Sequence, residues 1–504
     1  MTENKPSNKP SNAERLATGI SGLDTLLHGG FVKSAVYMVL GMPGAGKTIL
    51  ANQVCFHHVS RGGRALYVTL LAESHTRMIS NLRPMEFFDS SRISDSMMYL
   101  SAYSVLEEGG LEALLELLRK EVKAHKATLL VLDGLVAAEE MAPTQLAFKR
   151  FIHGVQVTTA MVNCTALLLT TGSGQGLKTE HTMVDGLVVM RERTSGVRTT
   201  RELSVRKFRG SGHYRGQHSF DISSRGIAVY PRIEALIEQQ GAQDMPTDGR
   251  KGFGIKRLDE MLDGGLFQGS STMLFGTSGS GKTLLGLHFL AEGARNKELG
   301  HYFAFYDTPK RVCEQTAGVG LHLEPLLKKG YLELSFRPPL ESSLDALGLE
   351  LITLIRERGV RRLFLDGFDA LSRAAIHKGR IGRFMAALVN ECRSRGVALL
   401  FTAEAQTIFG DELRFPIRGV SMICENILFL RISELGSELR NFISVMKLRN
   451  SGHDHSLREF RISRKGLEVG DALADAHRVM TGIPLASGGA QKKPRKGLLR
   501  GRGR

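Results

Sequence analysis

The stretch GMPGAGKT, residues 41–48, returns later in the chain as GTSGSGKT, residues 276–283. Both copies satisfy the pattern G-x-x-x-x-G-K-[ST], and each lies between a strand-like apolar run and a helix-like segment, which is the context of a phosphate-binding loop. Its glycines let backbone N–H groups converge on phosphate oxygens at a helix N-terminus, where the helix dipole also favours an anion. The sequence therefore predicts two nucleotide sites, built from Gly41, Met42, Pro43, Gly44, Ala45, Gly46, Lys47 and Thr48 and from Gly276, Thr277, Ser278, Gly279, Ser280, Gly281, Lys282 and Thr283.

The lysine and the threonine of each loop carry its chemistry. We expect Lys47 and Lys282 to neutralise the β- and γ-phosphates of ATP, and the hydroxyls of Thr48 and Thr283 to bind Mg2+. Two matches in equivalent places of one chain argue against coincidence, so ATP and Mg2+ are the predicted ligands.

A carboxylate that completes a magnesium site is expected at the end of a neighbouring strand. Asp133 ends the apolar run LLVLD, and Asp366 ends the run LFLD. Nucleotides bind at the carboxyl edge of a parallel sheet, so each aspartate is placed to orient the magnesium shell. The alternative is that each aspartate only supports the turn after its strand.

Hydrolysis also requires a carboxylate that positions or deprotonates the attacking water. The candidates follow the second strand of each copy, Glu73 in YVTLLAESHTRM and Asp307 in FAFYDTPKRV. Alternatively, these acids stabilise the N-terminus of the helix that follows them.

The repeat extends far beyond the two loops. GISGLDTLLHGG, residues 19–30, matches GIKRLDEMLDGG, residues 254–265, with the same 235-residue spacing that separates the two loop lysines. In both copies continuous apolar runs alternate with segments of helical spacing, which predicts tandem α/β domains, each with a parallel sheet covered by helices. We divide the chain into a disordered arm (1–14), a first domain (15–236), a linker (237–252), a second domain (253–470) and a disordered basic tail (471–504).

Further motifs surround the loops: the openings GISGLD and GIKRLD, the segments KFRGSGH and KLRNSGH, and the closings FDISSRG and FRISRKG. This combination resembles the circadian clock ATPase family KaiC over roughly residues 15–470. The resemblance implies two tandem RecA-like P-loop NTPase domains that assemble into a double-ring homohexamer, with ATP bound between neighbouring subunits. It also implies slow hydrolysis in the N-terminal ring and autophosphorylation in the C-terminal ring.

Two pairs of basic residues match residues that reach the neighbouring subunit's phosphates in this family. They are Lys207 with Arg209 and Lys447 with Arg449. A cation supplied by a neighbour stabilises transition-state charge, and it requires a heterologous interface that closes into a ring. The alternative is a strand with exposed basic residues on one face.

The chain departs from the family pattern at the catalytic positions. KaiC carries two adjacent glutamates there, whereas this chain has Ala72 and Glu73 in the first copy and Tyr306 and Asp307 in the second. A tyrosine cannot act as a carboxylate base at neutral pH. We therefore expect the first site to be the better ATPase and the second to hold ATP mainly as a structural ligand.

The segment that KaiC phosphorylates also differs. Its serine–threonine pair aligns with Ser421 and Met422, so Ser421 is the remaining acceptor for a serine/threonine autokinase. Alternatively, Ser421 is only a polar residue that enters a strand.

The net charge is +16, and seven of the positive charges lie in the last thirteen residues, KKPRKGLLRGRGR. Such a segment cannot bury enough apolar surface to fold, so we expect a disordered, solvated tail that aids solubility or touches any polyanion. The alternative is specific binding of nucleic acid through this tail. The sequence shows no apolar run long enough to cross a bilayer and no hydrophobic signal near its start, which predicts a cytoplasmic protein with no membrane contact.

The leading hypothesis is a KaiC-like hexameric ATPase whose partners are its own copies and regulatory or signalling proteins. Two alternatives remain. One is a RecA/RadA-like DNA-binding ATPase, because recombinases share this core and the chain is basic. The other is a weakly catalytic, ATP-dependent scaffold.

Overall fold

In the computed structural model of the chain, each phosphate loop follows the central strand of a nine-stranded sheet. The structure describes residues 14–71, 75–172, 182–238, 249–338, 343–405, 415, 423–435, 438–449 and 451–473.

The first copy begins with a small two-stranded sheet and continues into its nine-stranded sheet. Its strands are β1 (Arg15–Leu16), β2 (Phe31–Val32), β3 (Val36–Gly41), β4 (Ala65–Thr69), β5 (Met97–Ser101), β6 (Leu129–Asp133), β7 (Thr165–Thr170), β8 (Gly186–Ser195), β9 (Arg198–Phe208), β10 (His218–Ser223) and β11 (Gly226–Tyr230). Its helices are α1 (Ser21–Leu26), α2 (Lys47–Ser60), α3 (His75–Leu82), α4 (Tyr103–His125), α5 (Leu135–Glu140), α6 (Gln145–Met161) and α7 (Ile233–Glu238).

The second copy repeats this order. Its strands are β12 (Arg250–Lys251), β13 (Leu266–Phe267), β14 (Ser271–Gly276), β15 (Gly300–Ala304), β16 (Leu332–Phe336), β17 (Arg362–Asp366), β18 (Ala398–Glu404), β19 (Asn426–Leu435), β20 (Glu438–Lys447), β21 (Arg458–Ser463) and β22 (Gly466–Ala472). Its helices are α8 (Lys256–Met261), α9 (Lys282–Arg295), α10 (Pro309–Gly318), α11 (Glu324–Lys328), α12 (Leu344–Glu357), α13 (Phe368–Ala374) and α14 (Ile381–Ser394).

The two large sheets have the same topology. The first runs β11-β10-β9-β8-β3-β7-β6-β4-β5, and the second runs β22-β21-β20-β19-β14-β18-β17-β15-β16. The strands from β8 to β5 and from β19 to β16 are parallel, and the three strands beyond β8 and β19 are antiparallel. The predicted fold class, two tandem RecA-like α/β domains with mostly parallel sheets, is confirmed.

The central strands are apolar along their whole length because both faces of the sheet are covered. Every residue of β3 is buried. Tyr37 and Val39 pack in one core with residues of α2, whereas Val36 and Met38 pack in another core with residues of α4 and α6. Two covered faces explain a continuous apolar run where a half-exposed strand would alternate.

Packing divides the described chain into two compact units. The first holds the sheet centred on β3 together with described residues of 338–359 and 370–395, and the second holds the sheet centred on β14. Within the first unit, α12 and α14 pack against α7, and the Arg380 guanidinium donates to Glu234 at 3.0 Å and to Asp345 at 2.5 Å. The units therefore differ from the predicted domains 15–236 and 253–470 by these helices.

The ends of the predicted linker and tail overlap regular structure. The helix α7 continues to Glu238 because Leu236 and Ile237 are buried, and β12 pairs with β13. The strand β22 continues to Ala472, beyond the predicted boundary at 470. Residues 1–13, 239–248 and 474–504 lie outside the described residues, so the arm, the middle of the linker and the tail stay predictions. Among the described residues, no helix is long and apolar enough to span a bilayer.

Candidate nucleotide sites

Both phosphate loops connect a central strand to a helix of 14 residues. The first loop joins β3 to α2, and the second joins β14 to α9. The residue before each helix has a left-handed backbone, with φ of 94° at Gly46 and 84° at Gly281, a conformation that favours glycine. A Cβ added to Gly46 would lie 2.6 Å from Cδ1 of Ile222, so any side chain there would displace Ile222. The turn leaves the first N–H groups of the helix directed toward an incoming anion.

The lysine of each loop lies back over its own loop. Lys47 Nζ donates to the carbonyl of Gly41 at 2.8 Å, and Lys282 Nζ donates to the carbonyl of Gly276 at 2.9 Å. Burial lowers the pKa of both ammonium groups, and at Lys47 the charge of Asp133 acts in the opposite direction. Each lysine is thus a partly desolvated cation, which an anionic phosphate would stabilise further.

The structure brings the predicted threonine and aspartate together in both copies. Thr48 Oγ1 donates to Asp133 Oδ2 at 3.0 Å, and Thr283 Oγ1 donates to Asp366 Oδ2 at 2.8 Å. Hydroxyl and carboxylate oxygens are the hard ligands that Mg2+ prefers, and this ion is usually held by one or two protein oxygens together with phosphates and water. The residues at each loop therefore fit a magnesium ion that shares its shell with a nucleotide.

Two tyrosines that the sequence analysis missed complete these pairs. Tyr67 donates its hydroxyl to Asp133 Oδ2 at 2.7 Å, and Tyr302 donates to Asp366 Oδ2 at 2.8 Å. Burial raises the pKa of both phenols, and the aspartate beside each raises it further, so both remain hydrogen-bond donors at neutral pH. A signal was present in the sequence, because Tyr67 and Tyr302 stand the same 235 residues apart as the loop lysines.

Among the described residues, the second aspartate has one more side-chain donor than the first. Thr402 Oγ1 donates to Asp366 Oδ1 at 2.7 Å and accepts the N–H of Gly367 at 2.8 Å. In the first copy, the register of β6 with β7 places Leu169 beside Asp133. The side chain of a leucine has no donor, so Leu169 cannot make the bond that Thr402 makes in the second copy.

Asp307 is the candidate for activating water that lies among the described residues. Glu73 lies outside the described residues, so its role stays a prediction. Asp307 follows β15 and is partly buried, with Oδ1 at 3.3 Å from Nε of Arg311. Its charge contributes to the raised pKa of Tyr302, after burial and Asp366, which locates Asp307 near the second aspartate site.

The basic pairs lie at the ends of equivalent strands, β9 and β20. Lys207 and Lys447 each donate to a backbone carbonyl of the same chain, at 2.5 and 2.8 Å. Burial lowers the pKa of each lysine, and so does the arginine two residues further on, Arg209 or Arg449. Each pair is therefore a concentration of positive charge, and contact with a neighbouring subunit remains a prediction.

Comparison with known proteins agrees with this geometry. The model of the family "ATPase: KaiC" matches residues 16–234 and 252–474. The chain belongs to the KaiC family. It is 26% identical to the circadian clock oscillator protein KaiC 1 of Synechocystis sp., over 99% of this chain and 97% of that protein. It is 25% identical to the circadian clock protein KaiC3 of the same organism, over 96% of this chain and 97% of that protein, and 23% identical to KaiC of Synechococcus elongatus, over 99% and 98%.

Membership of the KaiC family implies nucleotide binding by an ATPase fold, and binding at each of the two loops stays a prediction. The family match covers Ser421, the acceptor candidate, but this residue lies outside the described part of the chain. Phosphorylation at Ser421 therefore stays a prediction.

Proposed function

We propose that this KaiC-family chain is a cytoplasmic, magnesium-dependent ATPase that hydrolyses ATP slowly and signals its nucleotide state to partner proteins. The observation that carries the proposal is the twice-built arrangement of lysine, threonine, aspartate and tyrosine at the start of α2 and α9. A single phosphate loop can serve binding alone, whereas a paired threonine and aspartate behind it fit the metal that phosphoryl transfer uses. The relatives named as clock proteins support a regulatory role.

At the first loop, each residue has a defined task in the proposed reaction. Lys47 holds the charge of the γ-phosphate, and Thr48 with Asp133 holds Mg2+, which when bound supplies positive charge to the transferred phosphoryl group. Tyr67 keeps the Asp133 carboxylate oriented. Glu73 accepts a proton from water as the water oxygen bonds to the γ-phosphorus and the bond to the leaving oxygen of ADP breaks.

Labelling of the purified full chain tests this proposal. Incubation with Mg2+ and γ-labelled ATP should release phosphate, and Lys47→Ala should abolish most of the release while Lys282→Ala retains it. The experiment follows protein-bound label at the same time. Label that disappears in both Ser421→Ala and Lys282→Ala would add an autokinase to the function, and absence of magnesium-dependent phosphate release in the unaltered protein would refute the ATPase.

We also propose that hydrolysis occurs between subunits of a homohexamer. In this arrangement, the cations that reach a neighbour's phosphates are those of Arg209 and the corresponding Arg449. The Arg209 side chain is 58% exposed, which supports this role. Mixing tests it, because a Lys47→Ala subunit keeps its Arg209 and an Arg209→Ala subunit keeps its loop. Mixed rings should release phosphate faster than either variant does alone.

Failure of the two variants to complement each other would contradict a shared site. Stimulation of phosphate release by DNA that persists after removal of residues 474–504 would instead favour a RecA/RadA-like function, since binding through the basic tail alone would be lost. Binding of ATP at both loops without turnover would favour the scaffold.

A further inference from the structure

A carboxylate outside the known motifs lies beside the second phosphate loop. Glu404 ends β18, and the register of β14 with β18 pairs it with Gly276, the first residue of the loop. The next N–H, that of Ala405, donates to the carbonyl of Gly276 at 3.0 Å. Glu404 is exposed and is therefore accessible to water and to a ligand of the loop.

The direction of the Glu404 side chain follows from strand alternation. Residues two apart on a strand project from the same face, so Glu404 projects from the face that carries Thr402. Thr402 donates a hydrogen bond to Asp366, and Asp366 accepts another from Thr283 of the loop. Glu404 thus stands on the face of the sheet where the second metal and phosphate site is built.

The charges around Lys282 agree with this placement. Burial lowers the pKa of Lys282, and three carboxylates oppose that shift, Glu404 first, followed by Asp366 and Asp369. At Lys47 only Asp133 acts in this way among the described residues. Among the described residues, more carboxylates therefore act on Lys282 than on Lys47.

The first copy has no acid at this place. Asp133 pairs with Leu169 in the first copy, and Asp366 lies beside Thr402 in the second, so Leu169 is the counterpart of Thr402. The residue two positions after Leu169, Thr171, is therefore the counterpart of Glu404. Compared with the KaiC pattern, the second copy has Tyr306 in place of a glutamate. It has a carboxylate, that of Glu404, on a different strand at the same edge of the sheet. The acid that remains at the usual position, Asp307, lies against Arg311.

We propose that Glu404 is the catalytic base of the second phosphate loop, so that this loop turns ATP over instead of only holding it. This inference rests on the proposed ATPase function. A Glu404 carboxylate oxygen takes a proton from water as the water oxygen bonds to the γ-phosphorus, and the bond between the γ-phosphorus and the β–γ bridging oxygen breaks with its electron pair leaving on ADP. The products are ADP, phosphate and a protonated Glu404, which returns its proton to solvent.

The test uses the full chain with Lys47→Ala, in which only the second loop is functional. Adding Glu404→Gln should lower the single-turnover rate of phosphate release about 10²- to 10⁴-fold, the usual contribution of a general base. Binding of a fluorescent ATP analogue should change little, because glutamine keeps the size of the side chain.

Asp369→Asn provides the matched control, since it removes another negative charge near Lys282 from α13 rather than from β18. It should retain the rate of the parent. An equal loss of rate and of nucleotide affinity in both variants would overturn the proposal and leave Glu404 as a charge that tunes Lys282. An unchanged rate in Glu404→Gln would overturn it as well.

Two further outcomes separate this inference from the proposed function. If the Lys47→Ala parent releases no phosphate while Lys282→Ala does, the second loop is not catalytic and only the role of Glu404 is refuted. If the unaltered protein releases none, both proposals fail.

Discussion

The two phosphate loops share their binding geometry but differ in what surrounds it. The bonds from threonine and tyrosine to aspartate recur within 0.2 Å, at 3.0 and 2.7 Å around Asp133 and at 2.8 and 2.8 Å around Asp366. Beyond them, Leu169 faces one aspartate and Thr402 bonds the other. The difference teaches that the bonds behind the loop constrain a few atoms tightly, whereas the proposed catalytic base of the second site, Glu404, stands on another strand.

A second contrast lies at the opposite end of the same strands. Leu129 begins β6 within a hydrophobic core, whereas Arg362 begins β17 with its charge buried. The Arg362 guanidinium donates to Glu298 at 2.7 Å and to the carbonyls of Gly252 and Phe289. We expect Arg362→Ala to lower the free energy of unfolding by about 3–5 kcal/mol, because it leaves polar partners buried without their donor. Urea unfolding of the full chain at pH 7 measures this loss.

The free energy of unfolding at acidic pH tests the ion pair of Arg362 with Glu298. Burial raises the pKa of Glu298, but hydrogen bonds and charges of Lys251 and Arg362 outweigh it, so the net pKa is lowered. A carboxyl group with a lowered folded-state pKa stabilises the protein above its unfolded value, about 4.3, and this contribution is lost as the pH falls through the folded-state value. As the pH falls from about 5 to about 3, the free energy of unfolding of Arg362→Ala should therefore decrease less than that of the unaltered protein. The same acid dependence in both would contradict the ion pair, and Leu129→Ala serves as the uncharged control.

The next prediction concerns Thr402, which donates to Asp366 where the first copy has Leu169 beside Asp133. Thr402→Val keeps the shape of the side chain but leaves Asp366 Oδ1 and the N–H of Gly367 unpaired. Loss of such a supporting bond commonly weakens metal binding about 10- to 100-fold. We expect a rise of this size in the Mg2+ concentration needed for nucleotide binding at the second loop, measured in a Lys47→Ala chain. Thr170→Val in the first copy is the control, and an equal effect there would show that the contrast is not local.

Sequence reasoning predicted the parts of each site that are encoded locally. The loops, Asp133 and Asp366 stand in motifs with fixed neighbours, so their residue types suffice to identify them. Thr402 and Glu404 act through the register of β18 against β14 and β17, which no short motif records. The grouping of α12 and α14 with the first unit follows from packing between segments distant in the chain, as in the ion pair of Arg380 with Glu234, and this leaves no local pattern.

A smaller effect is expected from removing one tyrosine hydroxyl at a time. Tyr67→Phe leaves Asp133 with Thr48 as its side-chain donor, whereas Tyr302→Phe leaves Asp366 with both Thr283 and Thr402. One hydrogen bond contributes about 0.5–1.5 kcal/mol, so Tyr67→Phe should weaken Mg2+-dependent binding at its loop by up to about tenfold. Tyr302→Phe should weaken it less. Titration of each loop, with the other lysine replaced by alanine, compares the two, and a larger effect of Tyr302→Phe would contradict the role given to Thr402.

The smallest expected effect tests whether the copies can be made more alike. Arg250 donates to the carbonyl of Gly265 and, at 2.9 Å, to the carboxylate of Asp263. In the first copy the residue that corresponds to Asp263, 235 positions earlier, is His28, which lies near Arg15. Both have a left-handed backbone, with φ of 52° and 55°, which aspartate and histidine tolerate. Since an exposed ion pair contributes about 0.2–1 kcal/mol, His28→Asp should raise the free energy of unfolding at pH 7 by no more than this.

The pH dependence of His28→Asp separates an ion pair from a packing effect. Burial and the charge of Arg15 lower the pKa of His28. A histidine with a lowered pKa favours the folded state above its unfolded value, about 6.5, and loses that contribution as the pH falls through the folded-state value. The introduced aspartate remains charged over this range, so the advantage of His28→Asp should grow as the pH falls from neutral toward about 5. A variant that is less stable at every pH would instead show that the contact of the His28 ring with Tyr214, at 4.9 Å between ring centres, outweighs a new ion pair with Arg15.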